Sequence, residues 1–335
     1  MNKGQNLTRY DGVSYLRVFA MLLVLLYHCL CMYTNRWSFV GVEKNDACEM
    51  ICSILNYIHL PLFILISGFL YGMGISKGKY MNRTSFLKKK AIRLGVPYLF
   101  WGGIMLLLQP DFYKFSFFIR GFAHLWFLLC LLEQFIFFSL FRNILIPKKS
   151  RSKIFVLIAS YAISCIVFYD KPMANRLSIF CIDKFIYYFP VFYWGVILSD
   201  LLKEIKVKRH WAICGMLLSA TYLMLSIVSG RILGGIIDFF MFDRLAGYIF
   251  VVCLFILSYQ VCKCSLICNW LDKNSMGIYI IHHILIMYLL QYSWFLQMME
   301  SHLIMGVIVL FGGILLISVL LSETILRTRC KFLLG

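Results

Sequence analysis

Between Val13 and Ser322 the chain is divided into ten apolar segments, most of them close to the length an α-helix needs to cross a bilayer. They run from 13 to 34, 52 to 73, 94 to 109, 122 to 141, 154 to 169, 185 to 202, 211 to 229, 244 to 262, 275 to 296 and 303 to 322. Hydrocarbon offers no water to satisfy backbone N–H and C=O groups, so such segments must be helical. The expected fold is all-α: a polytopic membrane helix bundle of about ten transmembrane helices, forming one integral-membrane domain over residues 1–335. Charged residues make up 14% of the chain, against about 25% in soluble domains, which excludes a soluble fold. No repeat of fixed period interrupts this pattern.

Local features fit the same frame. The first twelve residues are polar, the apolar run after them is long, and no small-residue cleavage site closes it, so the first segment is expected to stay in the protein. Pro190 falls in the middle of the sixth segment, where a kink is expected rather than a break, because neighbouring helices can satisfy the freed carbonyl. Cys29, Cys31, Cys130, Cys165, Cys214 and Cys253 lie in apolar segments and read as small buried hydrophobes. Cys264 and Cys268 form a lone CxxxC beside a basic residue, which is no metal-ligand set, and no metal site is expected.

The net charge of +18 has an origin other than nucleic acid. If the N-terminus is cytoplasmic, the cytoplasmic connections carry 23 of the 33 Lys and Arg, against 8 in the outer ones. Such a bias places both termini inside. The most basic connection, Lys77 to Arg93, is either an ordinary positive-inside anchor or a site for a phosphorylated cytoplasmic ligand.

Ionisable groups inside apolar spans cost several kcal/mol, so each one is a candidate for function. Arg17 and His28 lie in the first span, Asn56 and His59 in the second, Glu133 in the fourth, and His282 and His283 in the ninth. Eleven residues of helix bring His28 to within about 20° of Arg17 and about 16 Å further along the axis, so both should line one groove. The plainer alternative is an arginine that snorkels to headgroups and a histidine packed in the core. In the second span, Pro61 and Gly68 would let the helix bend and bring backbone close to a ligand, or Ser67 and Gly68 serve helix packing. Trp126 stands at the outer boundary of the fourth span. The adjacent His282 and His283 point about 100° apart, so only one can face the groove squarely.

Together these segments resemble the acyltransferase 3 family of bacterial membrane acyltransferases, in order over nearly the whole chain. The pieces are an Arg, ten residues and a His in the first span (Arg17 and His28), HLPLFILISGF (His59 to Phe69), a basic run into Arg93-Leu-Gly-Val-Pro97-Tyr98, HLWFL (His124 to Leu128) and GIYIIHH (Gly277 to His283). The resemblance implies transfer of an acyl group, often acetyl, from cytoplasmic acyl-coenzyme A to a hydroxyl of an envelope or extracellular sugar or another envelope acceptor. It places the protein in the bacterial inner membrane, with acyl-CoA as co-substrate, no permanently bound cofactor, and a glycan or lipid-linked saccharide as acceptor.

In that reading His28 is the general base and Arg17 the second catalytic residue. Arg17 would hold donor phosphate or thioester oxygen, or stabilise developing negative charge. The donor side would comprise Lys90, Arg93, Ser67, Gly68 and Phe69, and the acceptor groove His59, Trp126, Glu133, Tyr279 and His282. Many members carry two arginines three apart before the third span, where this chain has Lys90 and Arg93, so the donor contact carries over most directly to Arg93. Members with an added outer esterase-like domain continue past the last span; a chain ending at Gly335 is expected to be a stand-alone transferase. Two other classes fit the residues without the resemblance: a transporter or exporter of an envelope saccharide or small molecule, and a sensing or scaffold protein in which Arg17 and His28 only pack helices.

Overall fold

The computed structural model describes residues 11–80, 82–109, 112–147, 149–204, 208–228, 241–261 and 265–335. The described residues are helical, with no strand. The helices are α1 (Asp11–Cys31), α2 (Asp46–Asn56), α3 (His59–Ser76), α4 (Arg83–Lys90), α5 (Val96–Leu108), α6 (Phe117–Arg120), α7 (Trp126–Leu140), α8 (Arg142–Leu145), α9 (Ser150–Tyr169), α10 (Lys171–Arg176), α11 (Ile182–Glu204), α12 (Arg209–Val228), α13 (Phe242–Val261), α14 (Leu266–Leu289), α15 (Ser293–Ser301) and α16 (Leu303–Arg327). Among the described residues nine helical stretches are long and apolar enough to cross a membrane, and ten if α14 and α15 count as one bent span. The chain is a multi-pass membrane protein.

Several boundaries differ from those the hydropathy pattern suggests, each for a local reason. The second apolar segment is two helices broken at Tyr57 and Ile58. Asn45 caps α2 by accepting from the Cys48 amide, and Pro61 sits in the first turn of α3, where its missing N–H removes no helical bond. The third span starts well before residue 94, because the basic run is itself helical from Arg83, with the Asn82 side chain accepting from the Ser85 amide. A π-helical turn over Ala91–Gly95 joins α4 to α5. The ninth span does not continue to 296: α14 begins at Leu266, capped by Ser265, and stops at Leu289. Polar Gln291 and Ser293 follow, and α15 leaves at a 98° bend with Tyr288, Tyr292 and Trp294 exposed, the placement expected of aromatic residues at a membrane boundary. Helix α11 runs unbroken through Pro190. Cys264 and the expected span ends at 229 and 262 lie outside the described residues.

Small residues set several close helix pairs. Helices α3 and α11 approach so closely that a Cβ on Gly68 would strike the Phe192 carbonyl, and one on Gly195 would strike the Leu65 carbonyl. Likewise Gly277 of α14 lies against Ser322 of α16. Apolar helices gain little from sequestering more hydrocarbon in lipid, so such close backbone approach supplies the van der Waals contact that holds them together. Helix α1 is central, packed by α2, α3, α13, α14 and α16. The exterior is apolar, with Leu107, Leu218 and Ile304 exposed, as a lipid-facing surface requires.

One intramembrane cation is architectural. Arg244 is buried between the rings of Tyr161 and Tyr187, at 4.8 and 4.7 Å, and its Nη1 donates to Ser164 Oγ at 2.6 Å. These contacts tie α9, α11 and α13 together through cation–π attraction.

Candidate functional site

The single groove expected for Arg17 and His28 is not found among the described residues: the two polar residues of α1 open onto different cavities, because other helices close between them. Arg17 lines a cavity of about 230 Å³ at the end where α1 begins, together with Ser67, Tyr80, Lys90, Arg93, Asp272, Lys273 and Gly277. Arg17 Nη1 lies 3.2 Å from Asp272 Oδ1, and the Asp272 side chain is buried. The pair keeps the arginine in the cavity wall and offsets part of its charge. Lys90 Nζ sits 3.8 Å from the centre of the Phe135 ring, which supports the ammonium without neutralising it. The π-helical turn carries Arg93 to the cavity rim; such turns inside helices often mark functional positions.

His28 lines the second cavity, of about 510 Å³, with His59, His124, His283, Trp37 and Trp126 around it and Arg36 and Asn56 also in the wall. The His28 ring centre is 5.0 Å from those of both His282 and His283, 5.9 Å from Trp37 and 6.3 Å from His124. The His124 and His283 rings stack at 4.3 Å. Histidines from α1, α3, α14 and the turn preceding α7 therefore meet at one level of the bundle.

Hydrogen bonds fix the orientation of His28. Its Nδ1 lies 2.9 Å from the Val24 carbonyl, and His282 Nδ1 lies 2.9 Å from the Ile278 carbonyl. A carbonyl only accepts, so in the neutral rings each Nδ1 must carry the hydrogen. His282 Nε2 is then an acceptor, 3.1 Å from His28 Nδ1, and shares its hydrogen with Val24. What remains on His28 is an unprotonated Nε2. His59 Nδ1 is likewise bonded to the Leu55 carbonyl, and His124 Nε2 to the Ile280 carbonyl at 3.0 Å. Among the described residues, His124 Nδ1 and His283 Nδ1 are buried without a hydrogen-bond partner, an arrangement that a polar ligand in the cavity would relieve.

Four of the expected contact residues line neither cavity. Gly68 is spent on the approach to α11, and Phe69 is core, packed on the Phe255 ring at 4.7 Å. Glu133 lines neither cavity. His282 stands behind His28, so His283 is the member of the adjacent pair that reaches the cavity wall. Arg17, Ser67, Lys90 and Arg93 do meet in one cavity, and His28, His59 and Trp126 in the other, with Tyr279 in the wall of both. Asp272 and Trp37 are not among the residues the sequence pattern predicts for the site. Asp272 is the acid of Leu-Asp-Lys-Asn just ahead of the ninth apolar segment, a signal that was available. Trp37 comes from a connection without periodicity, where nothing marks it.

A family model described as an acyltransferase domain matches residues 10–323, nearly the whole chain. The chain belongs to this acyltransferase family. The match begins just before α1 and ends within α16, so both cavities of this acyltransferase-family protein are built almost wholly from matched residues. No curated protein and no solved structure matches the chain.

Proposed function

We propose that the protein is a membrane-bound O-acyltransferase of the bacterial inner membrane, moving an acyl group, acetyl by default, from cytoplasmic acyl-CoA to a hydroxyl of a cell-envelope or extracellular sugar. The observation that carries this reading is the orientation of His28, whose Nδ1 is engaged by Val24 and His282 so that an unprotonated Nε2 is left for substrate. The charge bias supports placing the Arg17 cavity at the cytoplasmic face and the histidine cavity toward the outside.

The donor phosphates bind at the rim formed by Lys90 and Arg93, with the thioester end directed past Arg17 into the bundle. His28 Nε2 takes the proton of the acceptor hydroxyl as its oxygen attacks the thioester carbonyl carbon. The tetrahedral oxyanion collapses, the C–S bond breaks, and the leaving thiolate takes up a proton, which His28 can return. Among the described residues that line the histidine cavity there is no Ser, Thr, Cys or Lys, which favours direct transfer over a relay on such a nucleophile.

Purified protein in detergent tests the reading. Release of CoA from acyl-CoA that depends on His28 supports it, whereas solute flux in sealed vesicles without any acyl change supports a carrier instead. Arg93→Ala and Lys90→Ala should each raise the KM for acyl-CoA about tenfold with kcat little changed, since a charge-assisted hydrogen bond contributes about 1.5 kcal/mol. At His282, the Gln variant retains an acceptor for the His28 Nδ1 hydrogen and should stay within about tenfold of wild type. His282→Leu removes that acceptor and should lower kcat by roughly a hundredfold with KM little changed.

A further inference from the structure

The two cavities meet at one aromatic ring. Tyr279 lines both, and among the described lining residues it alone does so. Its side chain is buried and its hydroxyl donates to the backbone carbonyl of His124. The Phe127 ring lies 5.5 Å from it, and the Phe63 ring 5.9 Å from Phe127; both phenylalanines line only the Arg17 cavity. The three rings come from α3, α7 and α14 and form one contact chain that ends at the ring both cavities share.

We propose that Phe63, Phe127 and Tyr279 form an apolar gate that admits unbranched, uncharged acyl groups and excludes branched and carboxylated ones. The proposal rests on the acyl-transfer function given above, in which the acyl group must pass from the donor cavity to His28. A straight chain has the same cross-section at every methylene, so a constriction selects little on length. It selects on width, because a branch at the second carbon must displace a packed ring. It also selects on charge. Three aromatic rings offer no cation to a terminal carboxylate, and the tyrosine hydroxyl is already committed to His124, so a carboxylate would cross stripped of water and unpaired. Arg17 stands on the donor side with Asp272 and cannot accompany the group through.

The experiment compares acetyl-, propionyl-, isobutyryl- and succinyl-CoA as donors for the purified full-length protein, with CoA release followed by chromatography. Wild type should use acetyl and propionyl groups comparably, isobutyryl about tenfold less well, and succinyl at least a hundredfold less well. Tyr279→Ala or Phe127→Ala should raise the isobutyryl-to-acetyl ratio about tenfold. Phe127→Leu, a smaller change that the packing tolerates more readily, should raise it about threefold. Succinyl-CoA used as well as acetyl-CoA by wild type overturns the gate, as does an unchanged isobutyryl-to-acetyl ratio in Phe127→Leu with acetyl turnover retained. Failure of wild type to turn over any acyl-CoA overturns the acyltransferase reading itself, a different result from equal use of all four donors.

Discussion

Replacing His28 with Asn is expected to lower acyl transfer by about three orders of magnitude while the amount of membrane-inserted protein stays the same. A positioned general base contributes 10²- to 10⁴-fold, and an unactivated sugar hydroxyl depends on it because alcohols are poor nucleophiles at neutral pH. The side chain is only partly buried at the wall of a large cavity, so its loss leaves no dense core unfilled. Asn keeps a polar group of similar reach that can still interact with the Val24 carbonyl, yet it cannot accept and return a proton. The measurement is initial-rate transfer at saturating acyl-CoA, with donor binding measured in parallel. Donor affinity should be unchanged, because the groups that hold the phosphates lie in the other cavity, on the far side of Tyr279. A variant that transfers normally would remove His28 from the mechanism.

Gly68→Val should act in the opposite way, through stability rather than chemistry. The glycine abuts the Phe192 backbone carbonyl, which cannot rotate aside as a side chain can. Any Cβ there forces α3 and α11 apart, and Gly195, which faces Leu65 in the same contact, loses its fit as well. Overpacking of a close interface costs about 1–3 kcal/mol, and a clash with backbone belongs at or above the top of that range. The expected result is a thermal unfolding midpoint in detergent lower by several degrees, with reduced yield from membranes. Acyl-CoA affinity per folded molecule should be unchanged. A Gly68→Val protein of wild-type stability with weakened donor binding would return Gly68 to the donor site, where the family resemblance had placed it.

The contrast between these residues shows what a single sequence can carry. The spacing of Arg17 and His28 is a property of one helix, which predicts a common face, but the one groove expected from that face is two cavities that share Tyr279. The partners that give them roles come from elsewhere: Asp272 and His282 belong to α14, and their approach to α1 depends on how spans pack. Gly68 and Phe69 sit in the same apolar run as Ser67, and the positions of α11 and α13 decide that Ser67 faces a cavity while its two neighbours face the core. Hydropathy located the spans but not their breaks. The interruption at Tyr57 and Ile58 and the 98° turn after Leu289 occur inside stretches that stay apolar on average, where caps and a few polar residues decide the backbone path.

In the proposed mechanism the acyl group passes from the Arg17 cavity to the His28 cavity across the bundle. The most direct measurement of this passage uses sealed vesicles in which the protein has one orientation, set by tagging the connection between Lys77 and Arg93, with acyl-labelled acyl-CoA supplied to the face bearing that connection. Free CoA should remain on that face and the label should appear on the opposite face, as acylated glycan or as the free acid, with both signals lost in His28→Asn. Label and CoA recovered on the same face would rule out transfer across the bundle.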